Sequence, residues 1–252
     1  MKKIILSIFS LVILSCSSDN DEPIKEISVK LKFTQNWDGT IIERSDLENT
    51  EFTNKTGSKL TISRLRYLIS RVSLVNGASD TTKFDSYKLV DINKPDNLTL
   101  ALPEKISEGS YKLLFTFGFI DKDNISSAYT DLNSVDWNVP DMMGGGYHFM
   151  QLDGQYKDTL GVKNPYNFHA VRAYNSEKDS IVDTSISIET GSILLKNNAT
   201  IEIKMNAAGW FKSPNDWNLN EKSVDLMGDF EAQKDISENG KSGVFSLGTI
   251  TQ

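Results

Sequence analysis

Cysteine is nearly absent: the chain holds one, Cys16, in 252 residues. A lone cysteine has no disulfide partner within the chain and cannot build a cysteine-based zinc, iron–sulfur or c-type haem site. Histidine is almost as scarce, with only His148 and His169. Neither sits in a nucleophile-elbow context, so no Ser-His-Asp set is expected. Clusters of Lys or Arg are missing too. The net charge is −7, which removes the electrostatic attraction that nucleic-acid binding needs, and no nucleic acid is expected as a partner. Gly144-Gly145-Gly146 lacks the Gly-Lys-Ser/Thr ending of a phosphate loop. With no nucleophile or acid–base set in view, the chain is expected not to be an enzyme.

Long apolar runs are also lacking. The run from Ile4 to Leu14 follows Lys2 and Lys3 and is too short to span a bilayer. It has the layout of a secretory signal. It ends Leu14-Ser15-Cys16, which resembles a bacterial lipobox. That resemblance implies removal of residues 1–15 as a signal peptide and lipidation of Cys16. Acyl chains contribute ~0.8 kcal/mol per buried CH₂, so several make a firm membrane anchor. Ser17 follows where inner-membrane retention usually needs Asp. The acidic stretch Ser18-Asp19-Asn20-Asp21-Glu22 reads as a tether, residues 16–26. The expectation is an outer-membrane lipoprotein that faces the periplasm or the cell surface.

What remains, residues 27–252, is dominated by strand signals. Ile27, Val29, Leu31, Phe33, Gln35 and Trp37 alternate with polar residues, the period of a half-buried strand. Asp38-Gly39 and Asn76-Gly77 are turn signals. At least nine such segments at short spacing predict an all-β fold, an antiparallel β-sandwich. Helix signals are few: Glu43–Glu51 and the stretch SSAYTDLN each allow a short turn of helix. From about Ala208 the pattern is less β-like, and a C-terminal extension of loops and a short helix is expected to pack on the sandwich.

Several stretches together resemble the MbnP-like domain family: LKFTQNWDGT, NKTGSKLTISRLRYLISRVSLVNG, YKLVDI, EGSYKLLFTFGF, WNVPDMMGGGYHFMQLDG and YNFHAVRA. They follow the family's order over roughly Val29 to Met205. The more specific parts are Gly146-Tyr147-x-Phe149-x-x-x-Asp153-Gly154 and Phe168-His169. The resemblance implies a β-sandwich, export and, in characterised members, a copper site. It also implies a partner, a MauG-like dihaem enzyme that oxidises a tryptophan to kynurenine in some members. This chain departs from the pattern in three places. Gln35 stands where many members have His, Trp137 stands without a second Trp two residues on, and the four cysteines of one branch are missing.

The candidate metal ligands are His169, His148 and Met150, with Met142 or Met143 arriving from the Gly-rich turn. Two imidazoles and a thioether suit copper, because sulfur is soft and selects Cu(I). Regular alternation puts His148, Met150 and Leu152 on one face of their strand, and Asn167, His169 and Val171 on one face of the next. An even-length connection between the strands would bring the two histidines to one side, and an odd one would separate them. Gln35 is expected to satisfy a buried backbone group or to stand behind a ligand, as a former ligand position. Trp137 is either a core aromatic or the oxidisable residue. Asp153 and Arg172 are expected to pair across the hairpin. The expected function is copper binding or handling without turnover. The competing expectation is a non-catalytic surface or assembly module that has lost the metal site.

Overall fold

The computed structural model describes residues 25–77 and 80–252. The expected signal peptide, Cys16 and the expected tether up to residue 24 lie outside the described residues. Glu26, the last residue of the expected tether, already pairs with Ser107. Among the described residues no helix is long and apolar enough to cross a membrane.

Eight strands carry the architecture: β1 (Val29–Trp37), β2 (Lys59–Asn76), β3 (Gly109–Phe117), β4 (Met150–Lys157), β5 (Lys163–Ala170), β6 (Ile186–Leu195), β7 (Ala199–Asn206) and β8 (Phe245–Thr251). The larger sheet runs β5-β4-β2-β3-β6, and the short strands Glu51–Thr53, Thr81–Lys83 and Tyr87–Asp91 also pair with β2. The smaller sheet runs β8-β7-β1 and ends on Thr40–Ile42, with Thr99–Ala101 also on β1. The pairings are antiparallel except β1 with β7, which run parallel. The fold is a β-sandwich, as the alternation predicts. The C-terminal extension differs from expectation in one respect. It contributes β8, which pairs with β7 and puts Phe245 into the core.

The period-two pattern sets the inside. Val29, Leu31, Phe33, Gln35 and Trp37 of β1 are buried while Lys30 and Lys32 are exposed. Phe33, Tyr67, Phe115, Phe117 and Phe245 meet edge-to-face or tilted between the sheets. Burial of each such side chain stabilises the fold by roughly 1.5–3 kcal/mol. The requirement for glycine is sharpest at Gly154 of β4. A Cβ there would lie 1.9 Å from the Thr61 carbonyl oxygen of β2. The Tyr166 hydroxyl donates to that same carbonyl from across the pair.

The outer face of the larger sheet carries a second, smaller core. Tyr67 turns inward, and its neighbour Leu68 turns outward to pack with Phe119, Leu132, Trp137 and Tyr147. Helix α1 (Thr130–Asn133) and the loop after it form the roof of this cluster. Arg66 holds that loop down, donating from Nε to Gln151 and from a terminal nitrogen to the Val135 carbonyl. Helix α2 (Phe230–Lys241), capped by Asp229, packs beside β5.

Candidate metal centre

Five residues, 158–162, join β4 to β5, and the pairing sets Lys157 opposite Lys163. That odd connection would put His148 and His169 on opposite faces. The structure brings them together, with ring centres 5.2 Å apart. The reason is an irregularity where β4 begins. The Phe149 N–H donates to the Ala170 carbonyl, and Met150 is also the register partner of Ala170. Two residues thus oppose one, the pattern of a β-bulge. Phe149 and Met150 both point into the sandwich, and His148 is turned to the outer face.

This corrects the expected ligand set. Met150 is fully buried in the main core, because it opposes Ala170 and so lies on the face of the sheet away from His169. Gln35 also faces the interior, where its amide donates to the Tyr67 hydroxyl rather than to a backbone group. It stands across the sheet from the histidines and supports neither of them. Asp153 pairs with Arg64 and His169, and Arg172 pairs instead with Asp121. Arg172 also donates to the Gly144 carbonyl, which ties the Met142–Met143 turn to the sheet.

Each histidine has one ring nitrogen committed to an oxygen. His169 Nε2 lies 2.7 Å from Asp153 Oδ1. Burial works against the charged form of Asp153. The bond from His169, the Asn167 amide and the Arg64 guanidinium outweigh it and hold the carboxyl below its usual range. Asp153 is an acceptor there, so Nε2 carries a proton, and it is Nδ1 of His169 that is left to face a metal. This is the carboxylate–histidine arrangement that orients metal ligands.

His148 Nδ1 lies 3.0 Å from the Trp137 carbonyl oxygen, and His148 Nε2 lies 3.1 Å from Met227 Sδ. Burial pushes the His148 pKa down to about 4, only partly opposed by the Trp137 carbonyl. The ring is therefore neutral near pH 7 and has one proton for two contacts. A carbonyl oxygen is a far better acceptor than a thioether, so the proton belongs on Nδ1. Nε2 then presents a bare lone pair to sulfur. Trp137 is fully buried beside it, 5.6 Å from the His148 ring, with its Nε1 unpaired and the Arg66 guanidinium 5.1 Å over its face.

A cavity of about 520 Å³ opens on this place, lined by His169, Asn167, Met143, Met227, Asp225 and Asp229. A larger groove, about 1090 Å³, lies over the other sheet beside Lys32, Glu202 and Lys204, and no histidine lines it. Among the described residues no three His, Cys, Asp or Glu side chains are grouped to hold a metal ion. The donors fit a soft ion only if sulfur joins the two imidazoles.

The MbnP family model matches residues 26–228. The chain belongs to the MbnP family. A solved structure, MbnP from Methylosinus trichosporium, is similar with a TM-score of 0.58 at 14% identity, covering 89% of this chain and 99% of that one. At that identity the likeness is one of fold. No curated protein sequence is a match. The matched region of this MbnP domain ends one residue after Met227, and helix α2 lies beyond it. Two residues of the centre were not anticipated from the sequence: Met227, and Gln233 on α2. Neither lies near the histidines in the chain, and neither belongs to a spaced motif.

Proposed function

We propose that this protein binds copper at His148 and His169 and handles it without turnover. The observation that supports this reading is the convergence of the chain's two histidines at 5.2 Å, each with one ring nitrogen held by an oxygen. A bound copper ion would supply a centre that exchanges or stores one electron. The chain's part is to hold two imidazoles in fixed tautomers, to bury them, and to place Trp137 against them. The buried, unpaired Trp137 indole is the candidate for oxidation by a MauG-like dihaem enzyme, acting at a distance rather than by contact. Lipidation of Cys16 would anchor the protein in the outer membrane, facing the periplasm or the cell surface.

Copper titration of the purified protein, followed by metal analysis and electron paramagnetic resonance, tests the reading. One equivalent held at micromolar concentration is expected, with binding weakened in both His148→Ala and His169→Ala. Failure to retain stoichiometric copper would overturn it. The second reading is a surface or assembly module without a metal. It draws on the absence, among the described residues, of any three grouped His, Cys, Asp or Glu side chains.

A further inference from the structure

We propose that Met227 supplies a thioether donor to the ion held by His148 and His169, which makes the site selective for a soft monovalent cation, and that Gln233 is the residue that positions it. The inference rests on the copper reading above and adds to it a ligand from a segment remote in the chain.

The contact between His148 Nε2 and Met227 Sδ carries the argument. At 3.1 Å a ring nitrogen and a thioether sulfur face each other, while the other nitrogen of the same ring is taken by the Trp137 carbonyl. A soft cation can accept from both, and the second imidazole lies 5.2 Å from the first. Imidazole nitrogen with thioether sulfur favours Cu(I), and Ag(I) as its surrogate, over Zn(II) or Cu(II).

Met227 is held in place by design of the surrounding chain. It sits in the 3-10 turn Leu226–Gly228, entered through Asp225 in the left-handed region and left through Asp229, the cap of α2. The segment runs along the free edge of β5, where the Asn167 N–H donates to the Ser223 carbonyl. Gln233, almost fully buried, joins the two. Its amide nitrogen donates to both the His169 and the Leu226 carbonyls, and its oxygen accepts from the Val171 N–H. One side chain thus fixes the Met227 turn to the backbone of the residue that carries the second imidazole. Met143, on the same cavity wall, is the rival source of sulfur.

The test is X-ray absorption of the Cu(I)-loaded full-length protein, with Cu(I) affinity measured by chelator competition. The variants are Met227→Leu and Met143→Leu, each nearly volume-conserving. Wild type should show one sulfur scatterer. Met227→Leu should lose it and bind Cu(I) at least about tenfold more weakly, since even outer partners of a ligand are worth 10–100-fold. Met143→Leu should keep the sulfur. In Gln233→Leu, whose folding is checked by circular dichroism, the sulfur signal should weaken or become disordered. A Met227→Leu protein that retains both the sulfur and wild-type affinity overturns the inference while leaving the copper reading intact. Absence of copper from wild type removes the copper reading itself.

Discussion

His148 and His169 meet at 5.2 Å although the hairpin register assigns them to opposite faces. One extra residue, accommodated where Phe149 and Met150 share Ala170, makes the difference. Bulges re-aim side chains in this way beside functional sites. Here the bulge brings the His148 imidazole to the outer face and keeps the Phe149 ring in the core. Met150, opposite Ala170, lies in the core, and the sulfur beside the histidines is that of Met227.

The Asp153 carboxylate should matter to metal binding without touching the metal. It accepts from His169 and is steadied by Arg64 and Asn167. In Asp153→Asn the amide oxygen can still accept one bond, but the charge that raises imidazole basicity is gone. Copper affinity is expected to fall by 10–100-fold, the usual worth of such a partner. Chelator competition measures it, and an unchanged affinity would show that His169 is not a ligand.

Gly154 is predicted to be the least replaceable residue of the family's Asp-Gly pair. Its added methyl would overlap the Thr61 carbonyl at 1.9 Å and crowd the Tyr166 ring. Gly154→Ala should destabilise by about 3 kcal/mol, the upper end of overpacking costs, unless strands β2 and β4 part. Gly191→Ala is the control: no atom lies within 4 Å of its Cβ, and a change within about ±0.5 kcal/mol is expected. Urea unfolding of the two proteins compares them directly.

The sandwich was readable because alternation is local. Each inward residue of β1, from Val29 to Trp37, could be assigned from its neighbours alone. Strand β8 was less visible, because Phe245–Thr251 breaks its pattern at Gly248 and buries only Phe245. The histidines could be named from their scarcity, and their meeting could be framed as a question of loop parity. The answer lay in a bulge, which no period-two count contains. Met227 and Gln233 were invisible for another reason: they reach the site through tertiary packing from residues some 60–80 positions away in the chain.

Gln233 should carry an unusual share of stability for a polar residue. It answers three backbone groups, of His169, Val171 and Leu226, all within 2.9 Å. Gln233→Leu keeps the bulk but strands the Val171 N–H and two carbonyls. A buried group left unpaired costs about 1–3 kcal/mol, so a loss of at least about 2 kcal/mol is expected. Thermal unfolding reads it. A loss under about 0.5 kcal/mol would mean that water replaces the amide and that the turn is not held from α2.

The pH dependence of stability should expose His148. Its folded pKa, about 4, lies below the ordinary histidine value of 6.5. Above pH 6.5 neither the folded nor the unfolded ring is charged, and the group contributes its full stability. As pH falls below 6.5 the unfolded chain takes up a proton that the buried ring refuses. Stability therefore drops until pH reaches about 4, where the folded ring protonates as well. One pKa unit is 1.36 kcal/mol, so the loss between pH 6.5 and 4.5 is on the order of 2–3 kcal/mol. Asp153 acts in the same direction but lower. Its carboxyl is held below the ordinary value of 3.8, and its contribution fades only as pH falls beneath the unfolded carboxylate range. Urea unfolding from pH 7 to 4.5, in the presence of a chelator, separates the two. The His148→Phe protein should lose most of the slope that wild type displays in this window, since Phe cannot titrate and the Trp137 carbonyl keeps its bond from the backbone N–H of residue 148. Equal slopes in the two proteins would place the His148 proton elsewhere, and with it the bare nitrogen on which the copper reading depends.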